Sequence, residues 1–369
     1  MTTQPQAQPS TLIVGSGLIG TSIALALKAE ERTVYLADRD PGVLATAISL
    51  GAGVSLPAGV EPDLIVVAVP PASVASVAAR HLAKFPQAIV TDVASVKSQP
   101  LEKLRKLTDD HARFVGGHPM GGREVAGPRG ARADLFEDRQ WVITASDENS
   151  PEAVAAVEEL AGLCGAIVVH RTPEAHDRAV ALTSHTPQIV SSALAAQLVD
   201  AHAEDVEVSG SGLRDTTRLA DSNPELWTEI LVANASEVAT AVAAMRDQLD
   251  DVVQALHVLD SDVATTSTAW AGEAIREVLV QGNAGRIKLP GKHGGQHREY
   301  ELIPVVVADK PGELARLFSL AGEHNVNLED VRIEHTVGRR TALIELSVAP
   351  DAAATLRDAL LNGGWTVRG

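Results

Sequence analysis

The chain has 369 residues, 45% hydrophobic but only 3% aromatic, so it can bury a real core, packed mainly by Ala, Val and Leu, in two or three domains. Its 31 Lys and Arg against 48 Asp and Glu leave a formal charge of −17, which argues against nucleic acid, whose phosphates need a basic face, but not against a small anion held in a locally basic pocket. A single cysteine, Cys164, excludes an internal disulfide and fits a reducing, cytoplasmic setting. It lies in the small-residue run Gly162-Leu163-Cys164-Gly165-Ala166 before an apolar strand, where a buried filler is expected rather than a nucleophile.

Met1–Pro9 lacks the basic start and apolar stretch of a signal peptide and reads as a loose tail. No apolar run approaches the roughly 20 residues needed to cross a bilayer, so no membrane partner is expected. From Thr11 to about His170, apolar runs alternate with helical stretches. Strands are predicted at Thr11–Val14, Thr33–Leu36, Leu64–Val69, Ala88–Thr91, Arg113–Val115, Trp141–Ala145 and Ile167–Val169. Several are near-continuous Val, Ile and Leu, as parallel strands covered on both faces require, and the alternation predicts an α/β, Rossmann-like doubly wound sheet over 10–173.

The first strand runs straight into Gly15-Ser16-Gly17-Leu18-Ile19-Gly20, which opens a helix. Gly15 permits the tight turn, Gly17 lets backbone approach a pyrophosphate and Gly20 lets helix and strand pack closely. The helix start, at Leu18 and Ile19, offers free N–H groups to phosphates. Asp38, 18 residues beyond Gly20, ends the second strand near the roughly 20-residue spacing of an acid that bonds a ribose 2′-hydroxyl. This favours NAD over NADP, although the adjacent Arg39 can accept a 2′-phosphate. Val69 and Pro70, closing the third predicted strand, are expected beside the same cofactor. Further on, Asp92-Val93-Ala94-Ser95-Val96-Lys97 and Gly116-Gly117-His118-Pro119-Met120-Gly121-Gly122 each follow a strand on the side where such sheets bind ligands. The glycines beside His118 are expected to clear space for something to approach.

After Pro173 strand signals vanish. Helical patterns take over at roughly 174–204, 224–258 and 263–281, giving an all-helical region over 174–284. Asn223 is placed to cap the second of these, with Pro224 at its first position. Val238, Val242, Met245, Leu249, Val252 and Leu256 recur at steps of four and three. That seam suits either intramolecular packing or a second subunit, and homodimerisation is the favoured reading. Arg214-Asp215-Thr216-Thr217-Arg218 adds two guanidiniums, with Trp227 nine residues on. Residues 285–300, rich in Gly and basic residues, read as a linker. Over 301–369 the order is strand 302–307, turn Asp309–Gly312, helix 313–324, strands 327–334 and 341–348, helix 351–361 and strand 365–367. This is a ferredoxin-like βαββαβ unit, and at about 68 residues its core is thin.

The motifs GSGLIGTS, DVASVK, GGHPMGG, SHTPQ, LRDTTRLA and LPGKHG, spread in order from Gly15 to Gly294, together resemble the prephenate dehydrogenase family, and the closing DKPGEL unit resembles an ACT regulatory domain. The resemblance implies NAD-dependent oxidative decarboxylation of prephenate to 4-hydroxyphenylpyruvate. The 4-hydroxyl loses its proton, the ring carbon gives up a hydride and the ring carboxylate leaves as carbon dioxide. His118 would be the base or hydrogen-bond acceptor on that hydroxyl, with Ser95 orienting His118 or the hydroxyl. Arg218 matches the carboxylate-binding arginine, a role its planar fork suits better than Lys would; a surface ion pair with Asp215 or Asp221 is the plainer alternative. His185 matches a site histidine or is a satisfied core histidine. Glu124 and Asp215 resemble acids at the mouth of the site.

Relatives oxidise arogenate, and the motif order does not separate the two substrates. In the ACT-like unit, Asp309, Gly312 and Asn327, the last expected to start a strand, match positions around a bound amino acid. This implies tyrosine as a feedback effector; an ordinary βα turn is the plainer reading. Two rivals remain. Hydroxyacid-type dehydrogenases on this scaffold use a lysine in the helical part, and 174–258 contains none. A non-catalytic sensor of dinucleotide and amino acid would leave His118, Ser95 and Arg218 without a shared purpose.

Overall fold

The computed structural model describes residues 9–123, 125–260, 266–289, 300–335 and 340–368. They form two compact units that divide between Met245 and Arg246. Eight strands make the sheet of the first: β1 (Ser10–Val14), β2 (Thr33–Ala37), β3 (Val54–Ser55), β4 (Leu64–Val67), β5 (Ile89–Asp92), β6 (Phe114–Pro119), β7 (Gln140–Thr144) and β8 (Ile167–His170), in the order β3-β2-β1-β4-β5-β6-β7-β8. The sequence changes direction about β1, the reversal that opens a ligand crevice at the strands' carboxyl ends. Helices α1 (Leu18–Ala29), α2 (Pro41–Ser49), α3 (Pro71–Lys84), α4 (Ser98–Arg105) and α5 (Pro151–Leu163) complete the wrap. Successive strand residues supply opposite faces. Ile13 and Val66 pack with Ile23, Leu27 and Leu160 of α1 and α5, whereas Leu12, Ile65 and Val67 pack with Val74, Leu82 and Leu104 of α3 and α4. Cys164 is buried in the first of these layers, and burial pushes its thiol up to about 12.

The sheet differs from expectation at β7, which runs antiparallel to β6, pairing His118 with Val142 and Pro119 with Trp141. That partner extends β6 four residues beyond the predicted strand, so the histidine lies within the strand rather than after it. The two glycines of Gly116-Gly117 had hidden this extension, because glycine weakens strand propensity. The short edge strand β3 carried no sequence signal. β4 ends at Val67, leaving Val69 and Pro70 in the following loop.

The predicted helix 174–204 is broken into α6 (Pro173–Val180), a π-turn over Ala181–His185, α7 (Thr186–Ala196) and α8 (Ala203–Glu207). Pro187 has no N–H to bond back four residues to Thr183, and the helix widens there. After α9 (Ser211–Thr217) and a 3₁₀ turn at Arg218–Ala220, α10 (Pro224–Ala233) begins as expected: the Asn223 side chain accepts the Leu226 N–H at 2.8 Å and Pro224 sits in the first turn. The predicted helix 224–258 is two helices, because Asn234 leaves helical geometry (φ −120°, ψ 30°) and spends its amide on tertiary contacts. α11 (Ala235–Asp260) follows. Contacts of α6 with β7 and α4, and of α10 with α3, join these helices to the sheet, so compactness does not divide the chain at Pro173.

The second unit contains α12 (Thr266–Ile287), which runs past the predicted boundary at 284, then β9 (Glu301–Ala308), α13 (Glu313–Glu323), β10 (Asp330–His335), β11 (Thr341–Val348), α14 (Pro350–Asn362) and β12 (Thr366–Val367). Residues 290–299 of the linker, with most of its LPGKHG motif, lie outside the described residues, as does Glu124. The strands form an antiparallel sheet, β10-β11-β9-β12, the expected βαββαβ arrangement. β10 begins at Asp330, not 327, because Asn327 turns its amide onto Glu329 Oε1 at 2.7 Å instead of extending the ladder. Ile303, Val305, Leu317, Ile344, Leu346, Leu356 and Trp365 form the core, and Arg316 lies 4.0 Å over the Trp365 ring.

With so small a core, Trp365→Ala is expected to cost roughly 3–5 kcal/mol. Hydrogen exchange should then speed up about a hundredfold or more in β9 and β11 and keep its rate in β1 and β4.

Candidate active site

The first βα turn builds a cleft of about 720 Å³, lined by Gly15, Gly17, Asp38, Arg39, Val69 and Pro70 among others. Gly15 has φ +103°, and a Cβ on it would meet the Ala68 carbonyl at 2.2 Å. A Cβ on Gly20 would lie 1.9 Å from Gly15 O, so Gly20 acts through packing, whereas a Cβ at Gly17 meets nothing within 4 Å and leaves the turn open to a ligand. No side chain caps α1 at Gly17, so the N–H groups of Leu18 and Ile19 face the anion position of a helix start. The buried Ser16 hydroxyl lacks a partner among the described residues. Asp38 is held by the N–H groups of Ser16 (2.6 Å) and Asp40 (2.8 Å). Open helix amides, an unpaired hydroxyl and a fixed acid at the far end suit a dinucleotide.

β5 and β6 lie two and three strand positions from β1, roughly 10 and 14 Å across the sheet. Lys97, 3% exposed, donates from Nζ to Asp92 Oδ2 (2.5 Å) and Gly117 O (2.6 Å). Asp92 in turn accepts the N–H groups of Ala94 (3.0 Å) and Gly117 (3.3 Å). Burial pushes the Lys97 ammonium down and the Asp92 carboxylate raises it again. Next to this pair, His118 Nδ1 lies 2.8 Å from His176 Nε2 on α6, and His176 Nδ1 lies 2.8 Å from Asp177 Oδ1. The two Asp177 oxygens also accept the N–H groups of Lys97 and Ser98, each at 2.8 Å. Burial, reinforced by His176, Lys97 and His185, holds His118 well below the usual imidazole range. It is therefore neutral at pH 7, the form that accepts a proton.

His185, 1% exposed, closes the π-turn. Its Nδ1 lies 3.2 Å from the Asn234 amide nitrogen, which also donates to Asp177 O (2.8 Å), and its ring meets Trp227 edge-on at 6.0 Å between centroids. Burial lowers its pKa to about 4.

His118, His185 and Trp227 thus come together with residues to which the sequence had assigned no role: His176, Asp177, Asp92, Lys97 and Asn234. Two of these carried a readable signal, since an acid ending an apolar strand and a lysine five residues later in an apolar run need one another. The space at Gly116 and Gly117 differs from expectation. Cβ atoms there would meet Thr144 Oγ1 at 2.4 Å and the Asp92 carbonyl at 2.8 Å, so the protein's own side and main chain fill it. Ser95, half-buried after β5, makes no hydrogen bond to His118 among the described residues; His176 occupies that place. Asp215 on α9 and Arg218 on the following turn are exposed and have no ion pair among the described residues. Their segment packs on α7, where Gln188 holds Leu219 O (2.8 Å) and Ser222 Oγ (2.7 Å).

Comparison with known proteins matches residues 23–170 to "Prephenate dehydrogenase, nucleotide-binding domain" and residues 172–266 to "Prephenate dehydrogenase, dimerization domain". The chain is 34% identical to the probable prephenate dehydrogenase NovF of Streptomyces niveus, over 96% of this chain and 98% of that one. The chain belongs to the prephenate dehydrogenase family. Among solved structures it resembles the Aquifex aeolicus prephenate dehydrogenase in complex with hydroxyphenyl propionate and NAD+ (25% identity, TM-score 0.65, 76% of this chain and 99% of that one). It also resembles the Synechocystis arogenate dehydrogenase (28% identity, TM-score 0.62, 75% and 98%). As a member of this family the protein is an oxidoreductase, and most of the cleft's lining, including Asp38, Arg39, Val69 and Pro70, lies within the residues matched to the nucleotide-binding domain.

In this prephenate dehydrogenase scaffold, Lys97→Met leaves Asp92 charged, buried and unpaired. Denaturant titration is expected to show a loss of roughly 3–5 kcal/mol, part of it recovered by adding Asp92→Asn; a double variant no better than the single one would break the assigned coupling. His185, whose folded pKa is depressed, contributes stability that is full above its ordinary value of 6.5 and lost as pH falls toward about 4. His118 acts in the same direction. The thermal midpoint of His185→Gln is expected to fall less steeply across that interval than that of the parent.

Proposed function

We propose that this protein catalyses the NAD-dependent oxidative decarboxylation of prephenate to 4-hydroxyphenylpyruvate, a step in tyrosine biosynthesis. The observation that carries the reading is His118: a neutral imidazole at the carboxyl edge of the same sheet whose first βα turn forms the dinucleotide cleft. NAD, which the turn at Gly15–Gly20 and Asp38 would hold, would supply the hydride acceptor for the substrate ring. The chain supplies the rest. His118 receives the hydrogen bond and then the proton of the ring hydroxyl, and Ser95, at the neighbouring strand end, orients that hydroxyl. Arg218 holds a carboxylate through its planar fork, His185 contacts the substrate's side chain, and Glu124 and Asp215 stand at the mouth. Loss of carbon dioxide makes the ring aromatic and the step irreversible.

Arogenate is the second reading, supported by the likeness to the Synechocystis enzyme. A homodimer is supported by the match to the family's dimerization domain and by Leu249, Val253, Leu256 and Leu259 of α11, which are 44–58% exposed in one chain. We take 10–173 as the NAD-binding domain, 174–284 as the helical substrate and dimerisation domain, 285–300 as a linker, and 301–369 as an ACT-type domain in a cytoplasmic enzyme. Tyrosine is the proposed effector, bound near Asp309, Gly312 and Asn327. Gly312 has φ +91° at the start of α13, and Asp309 N–H donates to Arg340 O at 2.9 Å.

Absorbance of reduced nicotinamide is expected to rise with NAD plus prephenate, and a response to arogenate alone would select the second reading. His118→Asn should lower kcat by about 10²–10⁴ while leaving KM nearly unchanged, and Arg218→Lys should mainly raise KM. Asp38→Ala should weaken NAD binding and relax discrimination against NADP. Activity unaffected by millimolar tyrosine would remove the effector.

A further inference from the structure

We propose that Asp177 and His176 are positioning residues for His118, fixing its tautomer so that Nε2 is the bare, proton-accepting nitrogen, and that His176 takes over the proton displaced from Nδ1 during turnover. This rests on the reading of His118 as the base and extends it to two residues with no assigned role.

The argument starts at the main chain. The N–H groups of Lys97 and Ser98 each donate to Asp177 at 2.8 Å, and these bonds favour the carboxylate form, which only accepts; against the effect of burial, the contact with His176 and then these two N–H groups hold the acid below its ordinary range. The nitrogen 2.8 Å away, His176 Nδ1, therefore carries a proton. In a neutral ring the other nitrogen, Nε2, is then bare. Exactly one proton fits between His176 Nε2 and His118 Nδ1, also 2.8 Å apart, and it belongs to His118. What remains on His118 is Nε2, a lone pair that makes no hydrogen bond among the described residues. Three links thus convert two backbone N–H groups into the orientation of one lone pair.

The groups facing this chain decide where charge settles after proton uptake. Lys97, held on Gly117 O, and His185 both oppose a positive charge on His118, whereas Asp92 is already engaged by the Lys97 ammonium. Asp177 touches His176 directly. When Nε2 of His118 forms its bond to the proton of a substrate hydroxyl, the Nδ1–H bond breaks and that proton passes to His176 Nε2. His118 stays neutral with its proton on Nε2, His176 becomes imidazolium beside Asp177, and the oxygen keeps its electron pair. No further donor or acceptor is needed.

The test uses the full-length protein with 15N-labelled histidine. At pH 7.5 the 15N shifts should show a protonated Nδ1 and a bare Nε2 on His118, and a protonated Nδ1 on His176. A protonated Nε2 on resting His118 overturns the proposal. This readout requires no turnover, so absence of activity with prephenate would refute the proposed function and the transfer to His176 while leaving the tautomer assignment of His118 standing. Among variants, His176→Leu should lower kcat at least about tenfold, with NAD affinity within about twofold, and move the acid limb of the kcat–pH profile. In His176→Gln an amide oxygen can still accept from His118 Nδ1 but cannot take the proton, so part of the lost kcat should return. Unchanged kcat and acid limb in His176→Leu, or no difference between Leu and Gln, overturns the proposal. Asp177→Asn should act in the same direction; because Asp177 also holds two main-chain groups, the His176 variants and the wild-type shifts decide even if that variant does not fold.

Discussion

The buried ion pair of Lys97 and Asp92 is the constraint from which the geometry around His118 follows. Both side chains are almost fully enclosed, and leaving either alone would strand a charge in a low-dielectric interior. Together they bond three main-chain groups, at Ala94 and on both sides of Gly117. They tie the carboxyl end of β5 to the middle of β6, at the place where the strand carrying His118 changes from a parallel neighbour to an antiparallel one. The missing side chains at Gly116 and Gly117 make room for this pair and for β7.

The fixed charge also sets the electrostatics. The Lys97 ammonium discourages His118 from becoming cationic, and burial works in the same direction. The helical segment after β8 supplies the counterweight through Asp177. Lys97 and Asp177 therefore bring opposite signs to the surroundings of His118 and His176.

Much of this was legible in the sequence. Apolar runs, glycine turns and proline-started helices point to a Rossmann-like sheet, a helical region and a βαββαβ unit, because these signals are local properties. The chain also announced the turn at Gly15–Gly20 and the acid at Asp38 through spacing alone. Hidden features depended on partners distant in sequence. β6 gains its last four residues from β7, and Asn234 interrupts a helix to reach Asp177 and His185. His176 and Asp177 look like ordinary polar residues of an amphipathic helix until β6 is folded against them. Arg218 sits on a segment packed on α7, and its place at the substrate rests on likeness.

The π-turn at Ala181–His185 has a consequence of its own. A regular helix advances about 100° per residue, so one extra residue in a single turn resets the phase of everything after it. His176 and His185 are nine positions apart, about two and a half regular turns, which would set them on opposite sides of one rod. The widened turn brings both imidazoles toward Asp177. Removing one residue from this stretch would straighten the rod and rotate the second histidine out of the cluster, with every chemical group still present. Here the length of the chain, and not only its composition, encodes the geometry of the histidine cluster.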